Sequence, residues 1–391
     1  MEYDIIIIGA GPAGCSLALH LANTDIKIAL IDKESFPRRK VCGGALSERA
    51  LNQLKAFPKG LNIYQNFLNS VNKIKSYGLR VNTPNKKILE FDFKDPKDKD
   101  KIPGFLCRRS DFDNFMINEV KKYSNIELIT ETKINSIDIE NDKIIANSKD
   151  HTFTSKFIVG ADGANSILRK NFPSFRKVSD IGVSTHYENV SGFHDDNLID
   201  MYFLKETLPG YFWIFKLPDN QANVGVYTTK ENLQKNKRNL RSMLKDIISE
   251  HPEISIRFKN AKQLDEVKGW KLPILFRKVF NGKNLYGKRH LFIGDAASLI
   301  DPITGEGIGN ALVSSNYAAE AIKSVFKNGN FDYGELDVYR RLLVKKFRYE
   351  LIIHTFSRIL FRNSIVLETC FSLIKNLKYF NAQISKRLYK H

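Results

Sequence analysis

The sequence has few cysteines and no spacing of cysteine or histidine that is typical of a metal site. Its four cysteines, Cys15, Cys42, Cys107 and Cys370, are scattered over 391 residues without a CxxC pair. The eight histidines include no HxxxH or HxH pair. We therefore expect no disulfide framework, zinc site or iron–sulfur cluster, and scattered thiols suit a reducing compartment such as the cytoplasm.

The sequence also lacks a clear membrane span or targeting segment. Residues 5–22, IIIIGAGPAGCSLALHLA, are nearly all apolar, but the flank before them carries Glu2 and Asp4 rather than basic residues. A Gly-Pro break divides this run into a short strand and an amphipathic helix. We therefore predict a folded strand–helix unit here.

Acidic residues are outnumbered by basic ones. Lys and Arg total 61 against 43 Asp and Glu, which gives a net charge of +18. This excess favours anionic partners such as phosphorylated cofactors, a membrane surface or nucleic acid, although a lysine-rich surface would give the same count. No helix-turn-helix, RRM or zinc pattern occurs, so a nucleic-acid partner is not expected. The length predicts two or three subdomains.

The N-terminal run does contain a dinucleotide-binding pattern. Gly9, Gly11 and Gly14 form GxGxxG between a buried strand at 5–8 and a helix. The first glycine permits a tight turn, the second lets the backbone approach a pyrophosphate, and the third lets the helix pack on the strand. Asp32 ends the next strand, where it is placed to bind ribose hydroxyls, and the helix N-terminus offers N–H groups to the phosphates.

Two later segments each run from an apolar strand into a Gly-rich turn that contains an aspartate. They are FIVGADGANSILRK at 157–170 and HLFIGDAASLIDPITGEGIGNAL at 290–312. Asp295 follows its strand directly and is placed to bind a ribityl hydroxyl. The loop 304–309 offers N–H groups at a helix start, which would stabilise negative charge on a reduced flavin. The three segments in this order favour FAD.

These motifs make the chain resemble the FAD-dependent oxidoreductases of the para-hydroxybenzoate hydroxylase-like superfamily and, within it, the geranylgeranyl reductase family. The resemblance covers roughly residues 1–330. It rests on GAGPAG at 9–14, the PRxKxCGG pattern at 37–44, RxxFD at 109–113, GADGANS at 160–166, PGYFWIF at 209–215 and GDAAxxxDPxTGEGI at 294–308. It implies an α/β fold: a Rossmann-like FAD-binding domain of the glutathione reductase type, a mixed β-sheet substrate domain and C-terminal helices.

The resemblance implies a discontinuous FAD domain, and the local patterns agree. We predict FAD-binding segments at 1–72, 103–175 and 276–330, a substrate-domain hairpin at 73–102, a substrate-binding sheet at 176–275 and a helical region at 331–391. Within the sheet, IGVSTHYE, LIDMYFL, GYFWIFKL and ANVGVYTT read as strands, and a helical stretch follows near 231–250.

The residues expected to bind FAD follow from these motifs, and no metal ligand is predicted. They are Gly9, Gly11, Pro12, Ala13, Gly14, Asp32, Lys33, Arg39, Cys42, Gly43, Gly44, Arg109, Asp162, Gly294, Asp295, Pro302, Gly305, Gly307 and Ile308. For Arg109 a surface salt bridge is the alternative.

Cys42 is the candidate active-site thiol. In the reductase family this cysteine lies on the substrate side of the flavin. It would help to protonate the carbon that does not receive hydride, or pack against the flavin, or be a small buried hydrophobic residue. The preceding Arg38, Arg39 and Lys40 would lie near the cofactor phosphates or an anionic substrate head.

Tyr211, Trp213 and Phe215 alternate along one predicted strand, so they face one side, while Phe212 and Ile214 face the other. The three aromatic side chains form either a wall for a long apolar substrate or an ordinary sheet core. The resemblance favours the wall, and Tyr211 and Trp213 join the cysteine as candidate catalytic residues.

The resemblance implies reduction of C=C double bonds in a prenyl or other lipophilic substrate by hydride from reduced FAD. The electron donor would be NAD(P)H or a reduced carrier such as ferredoxin, because no second GxGxxG provides a stable NAD(P) site. The alternative is a flavin-dependent monooxygenase acting on an aromatic or other small substrate. A halogenase is disfavoured because YFWIFKLP lacks the first tryptophan of WxWxIP. We expect a monomer or a weak dimer.

The C-terminal region is apolar and then basic. The runs LIIHTFSRILF and SIVLETCFSLI are too short to span a bilayer, which needs about 20 apolar residues. After Glu368 the charges are all basic: Lys375, Lys378, Lys386, Arg387 and Lys390. We predict either amphipathic helices that lie on anionic lipid at the inner face of the membrane, or helices that cap the substrate domain.

Overall fold

A computed structural model of the chain describes residues 1–140, 142–172, 179–360 and 362–376. Its strands are β1 Glu2–Ile8, β2 Ile28–Ile31, β3 Ala45–Leu46, β4 Lys73–Ser76, β5 Gly78–Asn82, β6 Ile88–Asp92, β7 Gly104–Cys107, β8 Ile126–Ile129, β9 Ser136–Ile139, β10 Ile144–Asn147, β11 Thr152–Gly160, β12 Ser179–Glu188, β13 Ile199–Tyr202, β14 Phe212–Leu217, β15 Gln221–Thr228, β16 Lys262–Gln263, β17 Lys268–Pro273, β18 Tyr286–Gly287 and β19 His290–Phe292. Its α-helices are α1 Pro12–His20, α2 Glu48–Lys55, α3 Ile63–Ser70, α4 Arg109–Val120, α5 Lys230–Asn236, α6 Leu240–Glu250, α7 Pro252–Ser255, α8 Gly282–Leu285, α9 Ile308–Asn328, α10 Asp337–Leu360 and α11 Ser364–Asn376.

The first sheet has a parallel centre in the order β19-β11-β1-β2-β8. Residues 5–8 of β1 are all buried, as is usual for the central strand of a parallel sheet. Since these strands run the same way, the turns that follow β1, β2, β11 and β19 meet at one edge. The Gly9 turn, Asp32, Asp162 and Asp295 therefore come together from four distant parts of the chain.

Helix α1 differs from the expected amphipathic helix. Every residue from 13 to 20 is buried, including Ser16 and His20. The reason is tertiary: α1 packs between the first sheet and the helices α4 and α9, so it presents no wide face to solvent. A helix that is apolar nearly all round is typical of a buried core element.

The second sheet follows the order β16-β12-β15-β14-β13-β5-β6, with β17 also paired to β12. The four stretches predicted as strands form β12 to β15. The alternating segment at 73–93 is divided: β5 and β6 make an antiparallel hairpin in this sheet, whereas β4 pairs with β7 in a separate three-stranded sheet with β3. The predicted helical stretch near 231–250 is two helices, α5 and α6. The mixed α/β fold class is confirmed.

The two faces of the second sheet belong to different apolar clusters, as the alternation along β14 predicts. Tyr211, Trp213 and Phe215 lie in one cluster, whereas Phe212 and Ile214 lie in another, beneath helix α6. The helix α11 contributes Leu367 to the cluster of the three aromatic side chains.

The C-terminal helices pack on both the first and the second sheet. Leu343 and Phe347 of α10 are buried in the core around the first sheet, while Leu367 of α11 packs on the second. Ile365 and Leu373 of α11 remain exposed, at 74% and 58%. Among the described residues, none of the helices combines the length and apolarity needed to cross a membrane. The predicted basic residues at 378, 386, 387 and 390 lie outside the described residues.

Candidate active site

A cavity of about 1100 Å³ lies between the carboxyl edge of the first sheet and the aromatic face of the second. Most of the predicted site residues line it: Gly9, Gly11, Pro12, Ala13, Asp32, Lys33, Arg39, Cys42, Gly43, Gly44, Arg109, Asp162, Tyr211, Trp213, Asp295, Gly305, Gly307 and Ile308. Gly14, Gly294 and Pro302 do not line it. Gly14 faces the carbonyl oxygen of Gly9, and Gly294 packs on Ala13 and Ala311.

The edge that follows β1 and β2 is built to receive an anion. Helix α1 begins at Pro12, behind Gly11, with no side-chain cap and no acidic residue in its first turn, so its N–H groups point to the cavity end. The Asp32 carboxylate accepts hydrogen bonds from the N–H groups of Ala10, at 2.7 Å, and Glu34, at 3.0 Å. This carboxylate therefore fixes the turn as well as lining the cavity.

A second loop at this edge precedes helix α9. The Asp301 carboxylate accepts hydrogen bonds from the N–H groups of Ile303, at 2.9 Å, and Thr304, at 2.8 Å, which folds the loop 301–307 back towards the cavity. Helix α9 begins at Ile308 without a side-chain cap. Asp301 belongs to the motif at 294–308 but was not predicted as a site residue, because its role depends on the fold of the loop.

The three consecutive cations of the basic loop point to three different partners. Arg38 lies 3.5 Å from Asp113, near the glycine turn. Arg39 crosses to the second sheet, where it forms a 3.0 Å ion pair with Asp265. The Lys40 ammonium stacks 3.6 Å from the centre of the Trp270 ring on β17. The loop therefore joins the two sheets, and burial lowers the pKa of Lys40 to about 8.

Arg109 is buried rather than at the surface. Its Nε and Nη2 donate to the two oxygens of Asp113, at 2.8 and 2.9 Å, one turn along helix α4. Asp113 is 1% exposed, so this fork is a buried ion pair that also receives Arg38. The fork fixes the start of α4 against the cavity and holds Arg109 beside the Cys42 thiol. Burial alone would lower the pKa of Arg109, but Asp113 and, to a smaller extent, Cys42 outweigh burial and raise it.

The Cys-Gly-Gly turn lies directly against the aromatic face. A β-carbon at Gly43 would stand 2.3 Å from Cε2 of Phe215, so only glycine allows this approach. Gly44 has a φ of +82° and its carbonyl oxygen accepts a hydrogen bond from the Cys107 N–H at 3.0 Å. The turn and the aromatic side chains therefore lie side by side at the cavity, and Cys42 is half-buried in its lining.

Tyr211 and Trp213 both donate their protons within the protein. The Tyr211 hydroxyl donates to the carbonyl oxygen of Thr304 at 2.6 Å, and the Trp213 indole donates to Asn223 at 2.8 Å. Burial, with smaller contributions from Asp301 and Cys42, raises the pKa of Tyr211. The phenol therefore ties the aromatic face to the loop before α9.

Among the cavity residues that the sequence analysis did not predict are Trp270 and Glu306. Trp270 lies on β17, and the alternation in KGWKLP was a usable strand signal. Glu306 lies in the loop before α9, where Ser47 donates to it and Arg49 lies 3.8 Å away. Arg49 also forms a 2.6 Å ion pair with Glu350 of α10, so a C-terminal helix is bonded to the cavity loop. Nothing in the local sequence indicates that last contact.

The cavity fits a dinucleotide in shape and in chemistry. Backbone N–H groups of two helix starts and a glycine turn lie at one end, and apolar aromatic side chains lie at the other. A β-carbon at Gly11 would meet only the Arg38 guanidinium, at 3.5 Å, which leaves room for a phosphate close to the backbone. This combination defines a flavin-dinucleotide-binding protein of the α/β class.

Comparisons with known proteins agree. The family described as an FAD binding domain matches residues 2–341, and the chain belongs to it. The digeranylgeranylglycerophospholipid reductase of Thermoplasma acidophilum is 26% identical over 358 residues, which cover 88% of this chain and 84% of that protein. The chain is an oxidoreductase that uses FAD.

Solved structures share the fold. The geranylgeranyl bacteriochlorophyll reductase-like protein of Thermoplasma acidophilum has a TM-score of 0.75 at 21% identity, covering 92% of this chain and 88% of that one. The flavin-dependent halogenase CmlS has a TM-score of 0.74 at 19% identity, covering 90% of this chain and 63% of that one. The predicted fold, cofactor class and superfamily are confirmed, whereas fold likeness at this identity does not assign a substrate.

Proposed function

We propose that the chain reduces C=C double bonds of a prenyl or other lipophilic substrate. One observation carries the proposal: the Cys-Gly-Gly turn lies beside the aromatic face of the second sheet at the cavity, so a thiol and an apolar wall share one space. The similarity to a digeranylgeranylglycerophospholipid reductase supports a lipophilic substrate.

In the proposed reaction the cofactor and the cavity residues have separate roles. FAD, when bound in its reduced form, would supply the hydride for one carbon of the alkene. Cys42, which lines the cavity, would give a proton to the other carbon. Trp213 and Phe215 orient the substrate and exclude water, which matters because an isolated alkene is hard to reduce. Tyr211 holds the loop before α9 through its bond to Thr304.

The basic residues at the cavity suit an anionic group on the substrate or the donor. Arg241 and Lys268 line the cavity in addition to the basic loop. A diphosphate or phospholipid head would be attracted to them while the prenyl chain lies along the aromatic face. The electron donor is proposed to be NAD(P)H or a reduced carrier such as ferredoxin.

Anaerobic mixing of chemically reduced protein with a prenyl alkene tests the proposal. We expect the flavin to be oxidised only when the alkene is present, and mass spectrometry to find a product two hydrogens heavier. The Cys42→Ser variant should keep its bound FAD and turn over about 100-fold more slowly, the usual size of a lost proton-transfer group. Cys370→Ser, on α11, is the matched control and should turn over at the wild-type rate.

Two other results would contradict the reductase proposal or the role of Cys42 in it. Flavin that is oxidised by air but never by the alkene, together with an oxygen-labelled product, would establish the monooxygenase alternative. A Cys42→Ser variant with wild-type rate and products would leave the reductase in place and remove the thiol from its chemistry.

We further propose that the C-terminal helices lie on a membrane surface. The exposed Ile365 and Leu373 lie two helical turns apart on α11, while Leu367 anchors the same helix to the second sheet. Flotation with anionic vesicles should be strong at low salt, weak at high salt and weaker after Ile365→Ser with Leu373→Ser. Equal flotation of the double variant would show that α11 only caps the sheet.

A further inference from the structure

A chain of polar side chains crosses the second sheet from the basic loop to the aromatic face. The Trp213 indole donates to Oδ1 of Asn223 at 2.8 Å, and Nδ2 of Asn223 lies 3.2 Å from Nε2 of His186. Nδ1 of His186 lies 2.7 Å from Oδ2 of Asp265. Arg39 completes the chain with its 3.0 Å ion pair to the same carboxylate. Both ends, Trp213 and Arg39, line the cavity.

The strands place these groups in register. His186 on β12 and Asn223 on β15 are directly opposite partners, and Trp213 on β14 is opposite Gly225. A β-carbon at Gly225 would stand 2.3 Å from Cζ2 of Trp213, so the indole lies flat across the glycine. Its N–H then reaches Asn223, two residues along the same strand.

The direction of every hydrogen bond follows from the tryptophan. An indole N–H can only donate, so Asn223 must present its oxygen to Trp213 and its NH₂ group to His186. Nε2 of His186 must then accept, so the ring is neutral and carries its proton on Nδ1. That proton is donated to Asp265, which fixes the tautomer and the plane of the ring.

Asp265 is held as a charged acceptor. Its carboxylate also accepts from the Thr185 hydroxyl at 2.7 Å and from the His186 N–H at 2.9 Å. Burial alone would raise the pKa of Asp265, but the hydrogen bonds from His186 and Thr185 outweigh burial and lower it. The carboxylate at this end of the chain is therefore held by hydrogen bonds from Thr185 and His186, although the loop that carries it is half-exposed.

We propose that His186 and Asn223 are positioning residues that hold the Trp213 indole flat along the cavity wall, with Asp265 tying that orientation to the Arg39 loop. The consequence for catalysis rests on the proposed function, in which Trp213 orients the substrate. Neither His186 nor Asn223 lines the cavity, so both act through the tryptophan. Loss of Asn223 leaves a buried indole N–H that has to find a new acceptor. Loss of His186 removes the acceptor that orients the Asn223 amide, so the amide turns and the indole turns with it.

Indole NMR tests the orientation without any substrate. The chain has two tryptophans, so ¹⁵N-indole labelling gives two signals, which Trp270→Phe assigns. Asn223→Leu and His186→Leu should each shift the Trp213 signal. His186→Gln should restore it in part, because a glutamine oxygen can still accept from Asn223. An unchanged Trp213 signal in both leucine variants would overturn the proposal.

Tyr187→Phe is the matched control. Tyr187 is the neighbour of His186 on β12 but faces the opposite side of the sheet, where its hydroxyl donates to Gln263 at 3.3 Å. This variant loses one polar group from the same strand and should leave the Trp213 signal in place. Bound FAD and the unfolding temperature, measured for every variant, show that the chain remains folded.

Kinetics then tests the link to turnover. With a prenyl alkene, His186→Leu should lower kcat about 10-fold or more, because small misplacements of oriented substrates have large effects on rate. In a Trp213→Phe background the same change should add no more than about twofold. Equal losses in both backgrounds would show that His186 does not act through Trp213. If the wild type reduces no alkene, the proposed function fails, while the indole signals still decide the positioning role.

Discussion

The two ends of the cavity are formed by different kinds of contact. At the dinucleotide end the contacts come from backbone: a glycine turn after β1, two helix starts and strand ends at one sheet edge. At the aromatic end they come from side chains of β12, β14, β15 and β17, bonded to one another across the sheet. The backbone contacts depend on a few glycines, and substitutions at these glycines are poorly tolerated. Side-chain contacts depend on pairs of residues that are distant in the sequence.

The basic loop is where the two ends meet. Arg38 belongs to the dinucleotide end through Asp113, and Arg39 belongs to the aromatic end through Asp265. The loop therefore couples the position of the cofactor end to the shape of the substrate end. A substitution that affects one end and spares the other therefore shows how far the two ends depend on each other.

The largest effect is expected at the glycine turn, where substitution of Gly14 should lower stability and substitution of Gly11 should weaken FAD binding. At Gly14 a β-carbon would stand 1.9 Å from the Gly9 carbonyl oxygen, so Gly14→Ala should destabilise the apo-protein by about 3 kcal/mol or more. At Gly11 the only neighbour is Arg38 at 3.5 Å, so Gly11→Val should fold normally. It should nevertheless bind FAD about 100-fold more weakly, because overpacking against a phosphate costs up to about 3 kcal/mol.

Thermal unfolding of the apo-proteins and titration with FAD measure the two effects separately. Asp32→Ala provides an intermediate case, since it removes a charged acceptor worth about 1.5–3 kcal/mol from the Ala10 and Glu34 N–H groups. A Gly11→Val protein that purifies yellow and holds FAD at wild-type affinity would show that the pyrophosphate does not pass over this turn.

The dinucleotide end could be predicted from sequence because its parts are local. A strand, a glycine turn and a helix start are neighbours in the chain, and parallel pairing brings four such turns to one edge. The alternation along β14 likewise assigned its residues to two faces, because a strand has a period of two.

The aromatic end could be predicted only in part. Arg39 was expected near FAD because it follows the second strand, yet its ion-pair partner Asp265 lies far along the chain. His186 and Asn223 carry no motif, and their pairing depends on the register of β12 with β15. Pro302 was expected to bind FAD as part of a motif, but it is not among the residues of its loop that line the cavity.

A smaller effect is expected from substitution of Lys40, which tests whether the charge of the basic loop favours binding of an anion. Burial lowers its pKa from 10.5 to about 8, so the unfolded chain binds more protons between these values. The contribution of Lys40 to the free energy of unfolding is therefore fully present above about pH 10.5 and is lost as the pH falls through 8. At pH 7 Lys40→Met should stabilise the apo-protein by up to about 3 kcal/mol.

The same variant should bind FAD more weakly, because the ammonium stabilises a nearby anion. Unfolding temperatures from pH 6 to 10 measure the effect on stability, and FAD titrations measure the effect on binding. Lys271→Met is the control, because Lys271 is an exposed cation on β17 that does not line the cavity. Destabilisation at pH 7 would contradict the expectation and show that the stacking on Trp270 outweighs the burial of the charge.

The smallest effect is expected at Tyr211, which bridges the two ends. Its hydroxyl donates to the Thr304 carbonyl at 2.6 Å, whereas the neighbouring Tyr227 hydroxyl reaches Ile303 only at 3.4 Å. Tyr211→Phe keeps the ring and removes one hydrogen bond worth about 1 kcal/mol, so FAD should bind about fivefold more weakly. Tyr227→Phe, which loses the longer bond, should have less effect. If Tyr211→Phe instead kept its FAD affinity and lost about 100-fold in turnover, the phenol would be a proton donor in the reaction and not a tether of the loop.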